Sequence, residues 1–116
     1  MADLPSVGQI LDKGDPDNPS MVLAQEVFIA CSGLYYALDA ITGGHEVANR
    51  YSFGFMTWAG ELTDKLSNNS NIDRDYMNII SRYADVYTDT IMTKGVTDLI
   101  KEDAHLCKLM AIQANF

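Results

Sequence analysis

Apolar positions recur at three- and four-residue steps along most of this chain, and in one stretch they spread well beyond a single stripe. From Pro19 to Thr42 the helical repeat is Leu23, Val27, Ala30, Cys31, Leu34, Leu38 and Ile41, and Met21, Phe28, Tyr35 and Tyr36 widen it. No charged residue stands between Glu26 and Asp39. A helix with so little polar surface has to be surrounded by protein. The expected architecture is therefore all-α: an antiparallel bundle of about four helices around residues 19–42.

Three further segments supply the neighbours. From His45 to Ser67 the apolar positions are Ala48, Tyr51, Phe55, Trp58, Ala59, Leu62 and Leu66, with Phe53 and Met56 beside them. Gly54 and Gly60 inside this segment each cost about 1 kcal/mol against Ala, so each marks either a close helix approach or a kink. After the Asn68–Asn71 loop, Asp73 is the expected N-cap, with Ile72 and Met77 placed as a hydrophobic staple. The helix that follows buries Tyr76, Ile80, Tyr83, Tyr87 and Ile91, turns Arg74, Asp75, Arg82, Asp85 and Asp89 outward, and stops at Gly95. Thr97 caps a last helix whose inner stripe is Leu99, Ile100, Leu106, Cys107, Leu109 and Met110; Asp98, Lys101, Glu102, Asp103 and Lys108 stay outside.

Ahead of the bundle, Ser6 to Lys13 reads as a short helical turn with Val7, Ile10 and Leu11 on one edge. Asp15-Pro16-Asp17-Asn18-Pro19 reads as a linker, with Asn18 as cap and Pro19 in the first helical position of the long helix. The chain thus divides into residues 1–18, a turn and linker, and residues 19–116, the bundle.

Charge narrows the partners. Sixteen acids stand against eight bases, a net charge of -8, and residues 1–44 carry six acids against Lys13 alone. Such a surface repels nucleic-acid phosphates and anionic membranes and favours a basic partner. The absence of a basic flank and apolar core at the N-terminus points to a cytoplasmic chain, and Gln25, Glu26 and Asp39 interrupt the apolar helix as a membrane span. Cys31 and Cys107 then read as buried thiols, with a disulfide between them as the alternative.

The chemistry of catalysis is missing. His105 and Cys107 are two residues apart on a helix and point about 200° from each other, so they cannot share an ion. Glu102 and His105 form one half of a di-iron pattern whose second half is absent, because Thr42 precedes His45 at the matching step. The aspartates from Asp12 to Asp17 fail the calcium-loop order, and no nucleophile elbow or phosphate loop occurs. The reading is a non-enzymatic protein with no cofactor and no metal.

What remains is an interaction surface. Six Tyr, four Phe and one Trp supply the residue types that anchor interfaces. The candidate partner-binding residues are Tyr35, Tyr36, Phe53, Trp58, Asp85 and Asp89. The expectation is a small acidic adaptor, chaperone or inhibitor that binds a partner protein with a basic surface and itself forms a homodimer. Two alternatives are an acidic inhibitor blocking a partner's nucleic-acid-binding surface and a bundle enclosing a small hydrophobic ligand.

Overall fold

A computed structural model describes residues 4–14, 20–69 and 72–115. Five helices follow in order: α1 (Val7–Asp12), α2 (Met21–Ile41), α3 (Glu46–Lys65), α4 (Tyr76–Lys94) and α5 (Asp98–Gln113), with no strand among the described residues. The register of the contacts gives the topology. Ser32 meets Ser52 and Gln25 meets Thr63, so α2 and α3 run antiparallel. Gly33 meets Tyr83 while Gln25 meets Asp73, so α4 runs parallel to α2. Cys31 meets Cys107 and Tyr35 meets Ala104, so α5 is antiparallel to α2 again.

Helix α2 is the centre. Every residue from Ile29 to Tyr35 is buried, a run of seven that covers all sides of a helix. Its apolar length would also suit a membrane crossing; here α1, α3, α4 and α5 all pack on it. Phe28 packs on Phe55 and Tyr35 stands edge-on to Tyr51 and parallel to Phe55, with ring centroids 5.7, 5.1 and 6.2 Å apart. Full burial of a side chain such as Phe55 contributes about 1.5–3 kcal/mol.

The polar groups inside this core are all partnered. Ser32 Oγ donates to the Ser52 carbonyl at 2.9 Å, and Ser52 Oγ donates to the Ser32 carbonyl at 3.2 Å. Small side chains and this reciprocal pair bring α2 and α3 close together. Gln25 donates to Thr63 Oγ1 and the Asp73 carbonyl, and accepts from the Asp73 N–H, which ties the loop before α4 to the bundle. Among the described residues no buried side-chain nitrogen or oxygen lacks a partner.

Local signals explain most helix ends. Ser6 and Gln9 form a capping box on α1, His45 Nδ1 accepts from the Ala48 N–H, and Thr97 accepts from the Ile100 N–H. Gly43, Gly44 and Gly95 take positive φ after α2 and α4. Helix α3 passes through Gly54 and Gly60 without a break.

Four expectations are corrected. The N-cap of α4 is Asp75, not Asp73, and Met77 is half exposed, because the Asp73 backbone is already held by Gln25. Ser20 stands before α2; the expected cap Asn18 and Pro19 lie outside the described residues. Helix α5 is rotated from its expected setting: Asp103 is fully buried, whereas Leu99 and Leu109 are exposed. Cys31 and Cys107 are not thiols but a disulfide, with Cα atoms 5.6 Å apart and both residues fully buried. The two go together, since the stripe that carries Cys107 to Cys31 also carries Asp103, four residues earlier, and leaves Leu109 out.

Helix α1 is docked on the bundle, with Val7 and Ile10 buried. Its Gly8 N–H donates to Asp103 Oδ1 at 3.4 Å, and Tyr83 Oη donates to the Pro5 carbonyl at 2.8 Å.

Candidate protein-interaction face

Three helices each present an apolar side chain to one place. Helix α2 contributes Tyr36, α3 contributes Phe53 and Met56, and α4 contributes Met77, around a groove of ≈330 Å³ floored by Ser32, Ser52, Ile80 and Ala84. Tyr36, Phe53 and Met77 are 59, 56 and 50 % exposed. Their exposure follows from the tight seats beneath. The Ser32–Ser52 pair and Gly33 leave no room for these larger neighbours between the helices, so they stand at the rim.

The groove ends at Asp85, which also opens a second groove between α4 and α5. That second groove is larger, ≈700 Å³, and holds Asp89, Thr90, Thr93, Lys94 and Thr97 beside Val86, Leu99 and Ile100. It contains no aromatic side chain. The smaller groove is the candidate interaction face, because apolar anchors rather than volume determine interface energetics. Asp85 and Asp89 lie one turn apart on α4, so both carboxylates line up along the same helix edge.

The six residues singled out from the sequence therefore divide. Tyr36, Phe53 and Asp85 come together at the groove, and Asp89 continues its acidic end. Tyr35 does not reach it: the residue is 8 % exposed, and its hydroxyl donates to the Ala104 carbonyl at 3.3 Å. Adjacent residues on a helix point about 100° apart, so Tyr36 faces out while Tyr35 turns toward α5. Trp58 points elsewhere as well. It lies against Phe28, Met110, Gln113 and Ala114, five residues and about 140° around α3 from Phe53. Met56 and Met77 were not anticipated in this role. Their half-apolar spacing beside the buried stripes was the available signal.

Burial shapes the titration of the core rather than of the groove. Desolvation pushes the Tyr35 hydroxyl up to about 12, with the neighbouring Tyr51 adding to the shift. It pushes Tyr83 and Tyr87 higher still; the Asp103 carboxylate adds to both, and Tyr87 also donates a hydrogen bond to it at 2.7 Å. Glu26, under α1, is raised by burial and by Asp73 against the opposing charge of Lys13. These tyrosines are structural donors, not acids or bases poised for neutral pH.

No cluster of three or more His, Cys, Asp or Glu side chains gathers among the described residues. His45 is spent as a cap, His105 and Glu102 are exposed on α5, and the two sulfurs are bonded to each other. Comparison of the chain with protein-family models, with curated proteins and with solved structures finds no match.

Proposed function

We propose that this protein is a non-enzymatic interaction module that seats an apolar helical segment of a partner protein in the α2–α3–α4 groove. One observation carries the reading: Tyr36, Phe53 and Met77, from three different helices, are half exposed around a single groove while the core beneath them is closed. Aromatic and Met side chains in such a setting are the residue types that anchor interfaces. The groove suits a helix with apolar residues at three- and four-residue steps.

Asp85 at the end of the groove, with Asp89 one turn beyond it in the neighbouring groove, on a chain of net charge -8, favours a Lys or Arg beside the apolar anchors. A second copy of this chain is the weaker occupant, because it brings eight further negative charges and offers Asp85 no surplus of bases.

The test is a photo-reactive residue placed at position 53, in the organism that makes the protein, with the same residue at position 101 on α5 as control. The expected product from position 53 is a cross-link to an apolar segment with a basic flank, absent from position 101 and weakened by Asp85→Lys with Asp89→Lys. Equal cross-linking from both positions would refute the groove as the binding face. A cross-link from position 53 to the chain itself would reassign the groove to self-association.

A further inference from the structure

We propose that Cys31–Cys107 is a redox latch that holds α5 against α2, and that its reduction releases α5 while α2, α3 and α4 stay packed. The bundle is unevenly built. Helices α3 and α4 grip α2 through the Ser32–Ser52 pair, the close seat of Gly33 on α4 and the Gln25 network. On α2 itself, among the described residues, α5 is held besides the disulfide by one hydrogen bond, from the Tyr35 hydroxyl to the Ala104 carbonyl at 3.3 Å, while its Asp103 is held by Tyr87 of α4 and the Gly8 N–H. Its fully buried positions are Ile100, Asp103, Cys107 and Ala111, of which one is a large apolar side chain. Of its other large residues, Leu106 and Met110 pack half-buried against the core, whereas Leu99, Leu109 and Ile112 are 38, 46 and 58 % exposed. With a carboxylate, a half-cystine and an alanine among its four fully buried positions, α5 gains less from burial than α4, which buries Ile80, Tyr83 and Tyr87. The covalent bond supplies what packing does not.

The hinge for release is present. Helix α5 hangs from α4 by Gly95, Val96 and Thr97, and Gly95 has a φ of 77° with open space where a Cβ would stand. Release would strip the cover from Cys31 and leave the Tyr35 hydroxyl without the Ala104 carbonyl. It would also part Asp103 from Tyr87 and from the Gly8 N–H, which loosens α1.

The chemistry is thiol–disulfide exchange with a dithiol reductant. The Cys31–Cys107 sulfur–sulfur bond breaks, two electrons and two protons pass to its sulfurs, and the reductant's own two sulfurs join. Both cysteines are fully buried, so exchange begins when the ends of α5 fray around the intact bond, and full release follows once it is broken. The closed state belongs to an oxidising compartment and the open state to a reducing one.

Hydrogen–deuterium exchange with thiol counting by mass tests this on the full chain, before and after dithiothreitol under native conditions. Cys31→Ala with Cys107→Ala serves as a permanently unlatched form. The expected result is two alkylated cysteines, amides of residues 98–113 exchanging at least about tenfold faster, and retained protection in α2, α3 and α4. The unlatched variant should match the reduced protein. Three results would overturn the proposal: α5 protection unchanged after reduction, loss of protection in all helices together, or a disulfide that survives excess dithiothreitol in the folded protein.

Discussion

Gly33→Ala separates two opposing contributions at one position. On helix propensity alone the change stabilises α2 by about 1 kcal/mol. The seat of Gly33 argues the reverse. A Cβ there would lie 2.4 Å from Tyr83 Cβ, 2.9 Å from the Ile80 carbonyl oxygen and 3.0 Å from the Ala84 nitrogen. Two of these atoms are backbone, so no side chain can swing aside. Restoring ordinary contact requires α4 to retreat by about 1 Å, which forfeits a quarter to a half of each contact energy along the crossing. Overpacking of this kind costs about 1–3 kcal/mol, and rigid backbone on both sides places it at the upper end. The net expectation is a loss of about 2 kcal/mol. With an unfolding entropy of roughly 2.1 cal/mol/K per residue, that lowers Tm by about 8 °C. Gly60→Ala is the matched control. Its Cβ would meet the Tyr76 hydroxyl at 2.9 Å and ring carbons at 3.4 and 3.7 Å, the far end of a flexible side chain. There propensity should win, with a rise in Tm of a few degrees. Calorimetry of both variants decides the matter, and a Gly33→Ala protein that melts about 4 °C above the parent, as propensity alone predicts, would refute the close-crossing argument.

Tyr87→Phe removes the hydroxyl that donates to the fully buried Asp103, leaving that carboxylate with the Gly8 N–H; it should cost about 1–3 kcal/mol in a urea titration, and an unchanged midpoint would mean water replaces the hydroxyl. Gln25→Ala strands both Asp73 backbone groups, leaves Thr63 Oγ1 only its bond to the Ala59 carbonyl, and opens a cavity, for a loss of about 2–4 kcal/mol by the same measurement. Stability should fall on the alkaline side: Tyr35, Tyr83 and Tyr87 hold their protons in the fold well above 10.0, the ordinary value at which the unfolded chain releases them. Their contribution is complete below about pH 10 and is lost above it by about 1.4 kcal/mol per pH unit for each tyrosine still protonated in the fold. Reversible melts from neutral to strongly alkaline pH check this, and a flat Tm through pH 11 (about one unit above the ordinary value) would contradict it.

How far the sequence could be read depended on whether a signal was local. Helix α2 was legible because its apolar residues leave no polar side, a property of consecutive residues. Ser6, Thr97 and Gly95 were legible as helix ends for the same reason. Gly33 was not, since a helical glycine at a tight crossing has the same neighbours in sequence as one facing water; Gly54 and Gly60 drew attention instead. The setting of α5 was misread because hydrophobic periodicity placed Leu99 and Leu109 inside. The structure turns the helix to join Cys107 to Cys31 and to place Asp103 under Tyr87, partners 76 and 16 residues away. At the groove, Tyr36 and Phe53 were identified from residue type, but which member of the Tyr35–Tyr36 pair faces out required the position of α5.

The route of the chain also orders its assembly during synthesis. Helices α2, α3 and α4 contain the Ser32–Ser52 pair, the Gly33 crossing and the Gln25 network among themselves, so that core is available once Lys94 has left the ribosome. Cys31 and the Gly8 N–H find their partners, Cys107 and Asp103, only in the last helix described. Until then Cys31 remains a thiol beside a nearly finished core, and α1 lacks part of its seat. A chain arrested after α4 should therefore carry a reactive Cys31, and arrival of α5 completes both ends of the fold in one step.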